Sequence, residues 1–157
     1  MTNNELLAYL AGLIDGEGYI GIKKTDNRKD CVNAQYHERI QIRMINEKAI
    51  KLFKQTFGGS YYHESIHSMY SKKPLYCYQA SDKIAADIIQ KLIPFLIIKK
   101  PQAHLVLELR KSKNDPESRK RGSPAKRVMK PEIIKFREKL YNQIKLIHHP
   151  PSITSPQ

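Results

Sequence analysis

The sequence predicts an α+β fold in the order helix, hairpin, helix, hairpin, helix. Three observations predict it: an apolar helical stretch near the start, two pairs of alternating segments separated by turn chemistry, and helical periodicity returning after each pair. At 157 residues the chain is one domain of ordinary size, long enough to bury a core. We place that domain at residues 1–147, with a basic loop at 110–130 and a loose Pro- and Ser-rich tail at 148–157.

In the opening helix, Leu6, Leu7, Leu10, Leu13 and Ile14 cover more than one side, the pattern of a helix buried nearly all round. Gly12 and Gly16 lie four residues apart on one face. An interior Gly costs roughly 1 kcal/mol relative to Ala, and close approach of another helix would offset that cost. Gly16 and Gly18 flank Glu17 where the helix should stop, since Gly suits a C-cap. Glu17 is thereby presented at the tip of a rigid element. A helix C-terminus carries partial negative charge and unpaired carbonyls, which disfavour an added anion and favour a cation. Carboxylate plus carbonyl oxygen is the ligand set of Mg²⁺ or Ca²⁺, and it suits metal-assisted attack on a phosphodiester. The plainer reading makes Asp15 and Glu17 solvated residues of a Gly-rich helix stop.

The first hairpin follows. Ile20 and Ile22 alternate with Tyr19, Gly21, Lys23 and Thr25; beyond a polar loop at 26–34, Ile40, Ile42 and Met44 alternate with His37, Arg39, Gln41 and Arg43. One face is a core, while the other is a row of Arg and Gln able to pair with guanine and adenine edges. Asn46 is a good N-cap for a helix carrying Ile50, Phe53 and Phe57, and Gly58 stops it. A second hairpin uses Tyr61 to His67 and Leu75 to Ala80 around Ser-Lys-Lys-Pro. There we place Tyr76 and Tyr78 toward the core, with Cys77, Gln79, His63 and Ser65 on the ligand face. Ser81 caps a helix with Ile84, Ile88, Ile89 and Leu92 on its stripe, ended by Pro94. Pro131 opens a last helix whose stripe is Ile133, Phe136, Leu140, Ile144 and Ile147.

Net charge is +13, which points to a polyanionic partner. No apolar run approaches the roughly 20 residues that span a bilayer, and residues 1–9 lack a signal-peptide pattern. We expect an intracellular protein without a membrane partner, in an organelle (chloroplast or mitochondrion) or a microbial cytoplasm. Cys31 and Cys77 have no CxxC spacing and read as free thiols. Residues 110–130 hold nine Lys or Arg against Asp115 and Glu117. A charge run is usually a solvated face; beside a nucleic-acid partner we read it as a phosphate-contacting loop, with Arg119, Lys120, Arg121, Lys126 and Arg127 as its contacts.

The nonapeptide Leu10-Ala11-Gly12-Leu13-Ile14-Asp15-Gly16-Glu17-Gly18 resembles the signature of the LAGLIDADG homing endonucleases at seven of nine positions. Gly16 stands for the second Ala and Glu17 for the second Asp. The resemblance extends through the element order over residues 5–110. It implies a mixed α/β fold in which two hairpins form a curved antiparallel DNA-binding sheet and two motif helices pack together. One motif resembles half of an enzyme, so a homodimer is implied, with Leu10, Gly12, Leu13 and Gly16 at the seam. Glu17 and the Gly16 backbone carbonyl would hold Mg²⁺; Mn²⁺ could substitute, and Ca²⁺ could bind without supporting cleavage.

Pro94-Phe95-Leu96-Ile97-Ile98-Lys99-Lys100-Pro101-Gln102-Ala103 is similar to a family segment, P-F-L-x-x-K-x-x-Q-A, whose lysine projects into the active site. That position is Lys99, although two lysines before a helix could also be a surface cap. Lys100 would meet phosphate or solvent. The family also places a polar residue near the end of the second strand to order water. Among Met44, Ile45 and Asn46 only Asn46 is polar, and it is needed as an N-cap as well. The implied function is a homing endonuclease, intron-encoded or freestanding, making a metal-dependent double-strand break at a long palindromic or near-palindromic DNA site. The alternative is a non-cleaving binder on the same scaffold, either an intron RNA maturase or a DNA-binding regulator.

Overall fold

The computed structural model describes residues 2–25, 33–64, 74–118 and 129–150. Helix α1 spans Asn3–Glu17 and starts in a capping box: the Glu5 amide donates to Thr2 Oγ1 at 3.3 Å, and the Thr2 amide donates to the Glu5 carboxylate at 2.6 Å. Strand β1 (Gly18–Thr25) follows directly, then β2 (Gln35–Met44), α2 (Glu47–Phe57), β3 (Ser60–Glu64), β4 (Leu75–Ser81) and α3 (Asp82–Leu92). Helix α4 (Lys100–Asn114), a 3-10 turn at Pro116–Ser118 and α5 (Pro131–His148) complete the described elements.

The four strands form one antiparallel sheet in the order β1-β2-β4-β3, so the two hairpins join through β2 and β4. Ile20, Ile22, Ile40, Ile42, Tyr78 and Ala80 point to one face and share a core with Leu10 and Ile14 of α1, Phe53 of α2, Ile89 of α3, Val106 of α4 and Leu140 of α5. The alternation read in β1 and β2 is the alternation observed. Removing this apolar surface from water, at about 25 cal/mol per Å², holds the layers together.

Some expectations change. Helix α1 buries only one side in the chain: Leu10, Ala11, Ile14 and Asp15 are covered, while Gly12 and Gly16 are exposed. Leu10, at 0% exposure, belongs to the chain's own core and presents no surface to the expected seam. Ser81 occupies the N-cap of α3 without a side-chain bond, and Ile84 is exposed while Ala85 is buried in its stead. In α5 the covered stripe is Arg137, Leu140 and Ile144, with Phe136 and Ile147 exposed, because the buried polar Arg137 takes the position next to Phe136. Helix α5 runs through His148, so the tail begins beyond it, and 151–157 lie outside the described residues.

The α1–β1 junction depends on Gly18. Its φ of −92° suits any residue, but a Cβ there would sit 2.7 Å from Ile14 Cα and 2.8 Å from Ile14 O. Those are backbone atoms that cannot swing aside. Gly18→Ala is therefore expected to destabilise the chain by about 1–3 kcal/mol, measurable as a lowered urea midpoint.

Candidate active site and nucleic-acid face

Asp15 organises the end of α1. Its buried carboxylate accepts three backbone N–H groups, from Ile97 at 2.7 Å and Ile98 at 3.2 Å on Oδ2, and from Lys99 at 2.9 Å on Oδ1. Consecutive amides leading into a helix form an anion-binding concavity, and the N-terminal dipole of α4 adds to the attraction. In return, Lys99 Nζ donates to the Asp15 backbone carbonyl at 2.6 Å. Two segments more than eighty residues apart in sequence are thus locked together, and Lys99 is brought to the last turn of α1. Replacing charge-assisted bonds with an amide that carries its own N–H donors should be costly. Asp15→Asn is expected to lose about 1.5–3 kcal/mol of stability in urea unfolding.

Glu17 ends that turn. It is exposed, and among the described residues no hydrogen bond or ion pair engages it. The Asp15 carbonyl is taken by Lys99, and Gly16, also exposed, supplies the next carbonyl of the same turn. Free carboxylate oxygen beside peptide oxygen is a hard-cation donor set. Among the described residues no three His, Cys, Asp or Glu side chains converge, so one chain offers part of a coordination shell. That fits a cation whose remaining ligands come from water, phosphate or a second copy. Asn46 acts as the N-cap of α2, its Oδ1 accepting from the Ala49 amide at 3.2 Å. The expected N-cap is thus in place, and it engages the side-chain oxygen while the amide NH2 makes no part of the cap.

The sheet face opposite the core carries Tyr19, Gly21, Lys23 and Thr25 opposite Gln41, Arg39, His37 and Gln35 respectively, and β2 then sets Arg39, Gln41 and Arg43 beside Ser81, Gln79 and Cys77. These side chains bind one another. Arg39 donates to the Gln79 side-chain amide oxygen Oε1, and Arg43 pairs with Glu64 at 2.9 Å. Gly21 lies on this face but is covered by the Tyr19 ring, whose hydroxyl occupies the space a Cβ would need.

The placement of β3 differs by one residue from the expectation. Tyr61 and His63 pair with Tyr78 and Tyr76, while Ser60, Tyr62 and Glu64 pair with Gln79, Cys77 and Leu75. His63 therefore belongs to the helix side of the sheet, and Ser60, Tyr62 and Glu64 hold the ligand-side positions. Cys77 is on the ligand side yet fully buried, and burial pushes its thiol pKa up. A covered thiol cannot contact a ligand. Ser65, Arg119, Lys120, Arg121, Lys126 and Arg127 lie outside the described residues. The basic stretch begins in helix, since α4 continues to Asn114; Arg110 and Lys113 turn inward to Glu38. Lys100, the first residue of α4, is exposed.

Sequence reasoning missed the contribution of α5. His148 stacks on Tyr19 with ring centroids 4.8 Å apart, and its Nε2 lies 3.1 Å from the Ile20 carbonyl, an acceptor. A cleft opens there, lined by Tyr19, Lys23, Arg39, Gln41, Lys145 and His148. Two histidines ending a helix gave no interpretable spacing in the sequence.

This architecture is that of the homing endonucleases. It superposes on the homing endonuclease I-CvuI, solved in complex with its target in the presence of Ca²⁺, with a TM-score of 0.71 and 16% identity, covering 96% of this chain and 85% of that one. The archaeal intron-encoded homing endonuclease I-Vdi141I, complexed with DNA, gives 0.72 and 16%, covering 99% and 91%. The homing endonuclease I-GzeII in complex with its DNA target gives 0.60 and 20%, with 96% of this chain spanning 50% of that one. A comparison with curated protein sequences yields no match. The family model described as LAGLIDADG endonuclease matches residues 10–104, more than half of the chain. The chain belongs to the LAGLIDADG endonuclease family.

Proposed function

We propose that this chain is a homing endonuclease that cuts both strands of a specific, near-palindromic DNA site as a homodimer. The observation that carries the reading is the Glu17 carboxylate at the end of α1, which no other described residue engages, with Lys99 held on the same turn through Asp15. A pure binder has no need of an anion beside phosphate. In this reading Glu17 and the Gly16 carbonyl would hold Mg²⁺, whose chemistry is to polarise the phosphate and lower the pKa of bound water. Lys99 stabilises charge developing on the phosphate during attack. The sheet face with Tyr19, Lys23, Arg39, Gln41 and Arg43 reads base edges in the major groove and sets the register.

The glycines of α1 support self-association. A Cβ on Gly12 or Gly16 would meet nothing within 4 Å. An interior helical Gly costs about 1 kcal/mol relative to Ala, and nothing among the described residues offsets it, so we place the reason for these glycines in what α1 packs against. Tyr9, Leu13 and Gly12 offer the exposed or half-buried side for a second α1. Gly12→Ala is expected to leave the single chain as stable or about 1 kcal/mol more stable, while weakening the dimer in sedimentation. Unchanged association would remove α1 from the seam.

The test begins with selection of bound duplexes from a randomised pool in Ca²⁺. The selected duplex is then placed in a supercoiled plasmid and incubated with Mg²⁺ or EDTA. Linearisation only with Mg²⁺, at a two-fold symmetric site, is the expected result. Retarded but intact DNA would establish a non-cleaving binder instead.

A further inference from the structure

His37 sits on the ligand side of β2, opposite Lys23 of β1 and two residues from Arg39. Strand β4 ends at Ser81, beside Arg39, so the next position along β2 is met by the first residue of α3 rather than by a strand. That residue, Asp82, adopts φ +54°, a left-handed conformation that Asp and Asn tolerate better than other side-chain-bearing residues. The turn carries its carboxylate to His37, with Oδ1 2.9 Å from Nδ1. From the other side, Lys113 of α4 donates to the same oxygen at 3.2 Å, and its Nζ also reaches the buried Glu38 at 2.7 Å. Burial opposes the charge on Asp82, but the His37 bond and Lys113 outweigh it and hold its carboxyl below the usual carboxylate range.

We infer that Asp82 fixes the tautomer of His37 and thereby makes the distal ring nitrogen a hydrogen-bond acceptor that selects a cytosine or adenine amino group in the major groove. An ionised carboxylate only accepts, so the facing Nδ1 carries the hydrogen. In the neutral ring Nε2 is then a bare lone pair. No bond to another described residue engages it, and the side chain is 37% exposed. In the major groove cytosine N4 and adenine N6 offer N–H donors, whereas guanine N7 and O6 and thymine O4 are acceptors that a lone pair repels. The neighbouring Lys23 and Arg39 are donors suited to guanine or phosphate, so His37 supplies the opposite polarity within a basic surface. Lys113 holds Asp82 from the helix layer, which ties this one base preference to α4.

The inference rests on the sheet face binding DNA, and two measurements separate the claims. Long-range ¹H–¹⁵N correlation on the native protein is expected to show neutral His37 protonated at Nδ1, with the Nε2–H form rising in Asp82→Asn. Asn keeps the left-handed turn, so this variant should retain the fold. A native His37 protonated at Nε2 overturns the inference without reference to DNA. Selection from a randomised duplex pool at fixed salt is expected to show one base pair in each half-site restricted to cytosine or adenine on one strand. His37→Ala should lose that preference alone, and Asp82→Asn should weaken it about fivefold, the scale of one hydrogen bond. If His37→Ala lowers affinity evenly with every base preference intact, His37 contacts phosphate and the assignment fails. A native chain that selects no duplex overturns the DNA reading, and the base assignment with it. A native chain whose selected site survives both substitutions overturns the His37 inference alone.

Discussion

The Glu17→Gln protein is expected to bind its duplex as tightly as the native chain, or more tightly, and to leave both strands intact. Glutamine has nearly the same shape, so α1 and the Gly18 junction should be undisturbed. What changes is charge. Among the described residues no side chain engages the Glu17 carboxylate, and removing it takes away the anionic ligand for a hard cation while also removing repulsion toward phosphate. Cleavage should fall by on the order of 10³-fold, read as linearised plasmid under excess enzyme. Binding, read by fluorescence anisotropy in EDTA, should be unchanged or improved. Calorimetric titration with Ca²⁺ in the presence of the duplex should lose its metal-binding signal. Cleavage at the native rate would move the metal-binding role away from Glu17.

Glu38→Ala is expected to destabilise the chain as much as truncating a large core side chain. Glu38 is fully buried on the core side of β2, with Arg110 at 2.9 Å on one carboxylate oxygen and Lys113 at 2.7 Å on the other. Those cations are themselves only 19% exposed. Arg137 of α5 is buried nearby, donating to the Ser112 hydroxyl and carbonyl at 3.1 Å, and burial lowers its pKa despite the favourable field of Glu38. Without Glu38 three cations share one poorly solvated region, in which Lys113 keeps Asp82 as a partner. Breaking a buried pair by deleting one partner costs about 3–5 kcal/mol, a large fraction of the roughly 5–15 kcal/mol that holds a domain folded. The urea midpoint should fall with little change in slope. A loss below about 1 kcal/mol would mean that Arg110 and Lys113 reach water when released.

The sequence made some of this visible and hid the rest for identifiable reasons. Strands β1 and β2 were legible because isoleucines alternate with charged residues, so the period fixes the faces. Strand β3, Ser-Tyr-Tyr-His-Glu, has no such contrast, and the alternation that sets His63 and Ser65 on the ligand face is one residue out of step with the observed pairing. Glu38 did leave a signal: a carboxylate at a core-side position breaks the alternation of Tyr36, Ile40 and Ile42, and a buried charge requires cations. Arg137 left the same kind of signal in α5. The positions of Glu17 and Lys99 followed from local motif patterns, but their common anchor did not. The Asp15 side chain joins backbone amides that any residues could supply, so no side-chain pattern at 97–99 could announce it.

The stacking of His148 on Tyr19 bears on how this protein avoids its own copies in the wrong geometry. Strand β1 is an outer strand of the sheet, eight residues long, and an outer strand is a template for unwanted pairing between chains. Helix α5 packs beside it, with the His148 ring at the Ile20 carbonyl and the Lys24 ammonium bound to Glu138. The Ile20 carbonyl, a main-chain acceptor that could recruit a foreign strand, is therefore occupied from within. Cover at this edge works against sheet extension between chains along β1, so the association through the glycine face of α1 proposed above meets less competition from strand pairing there.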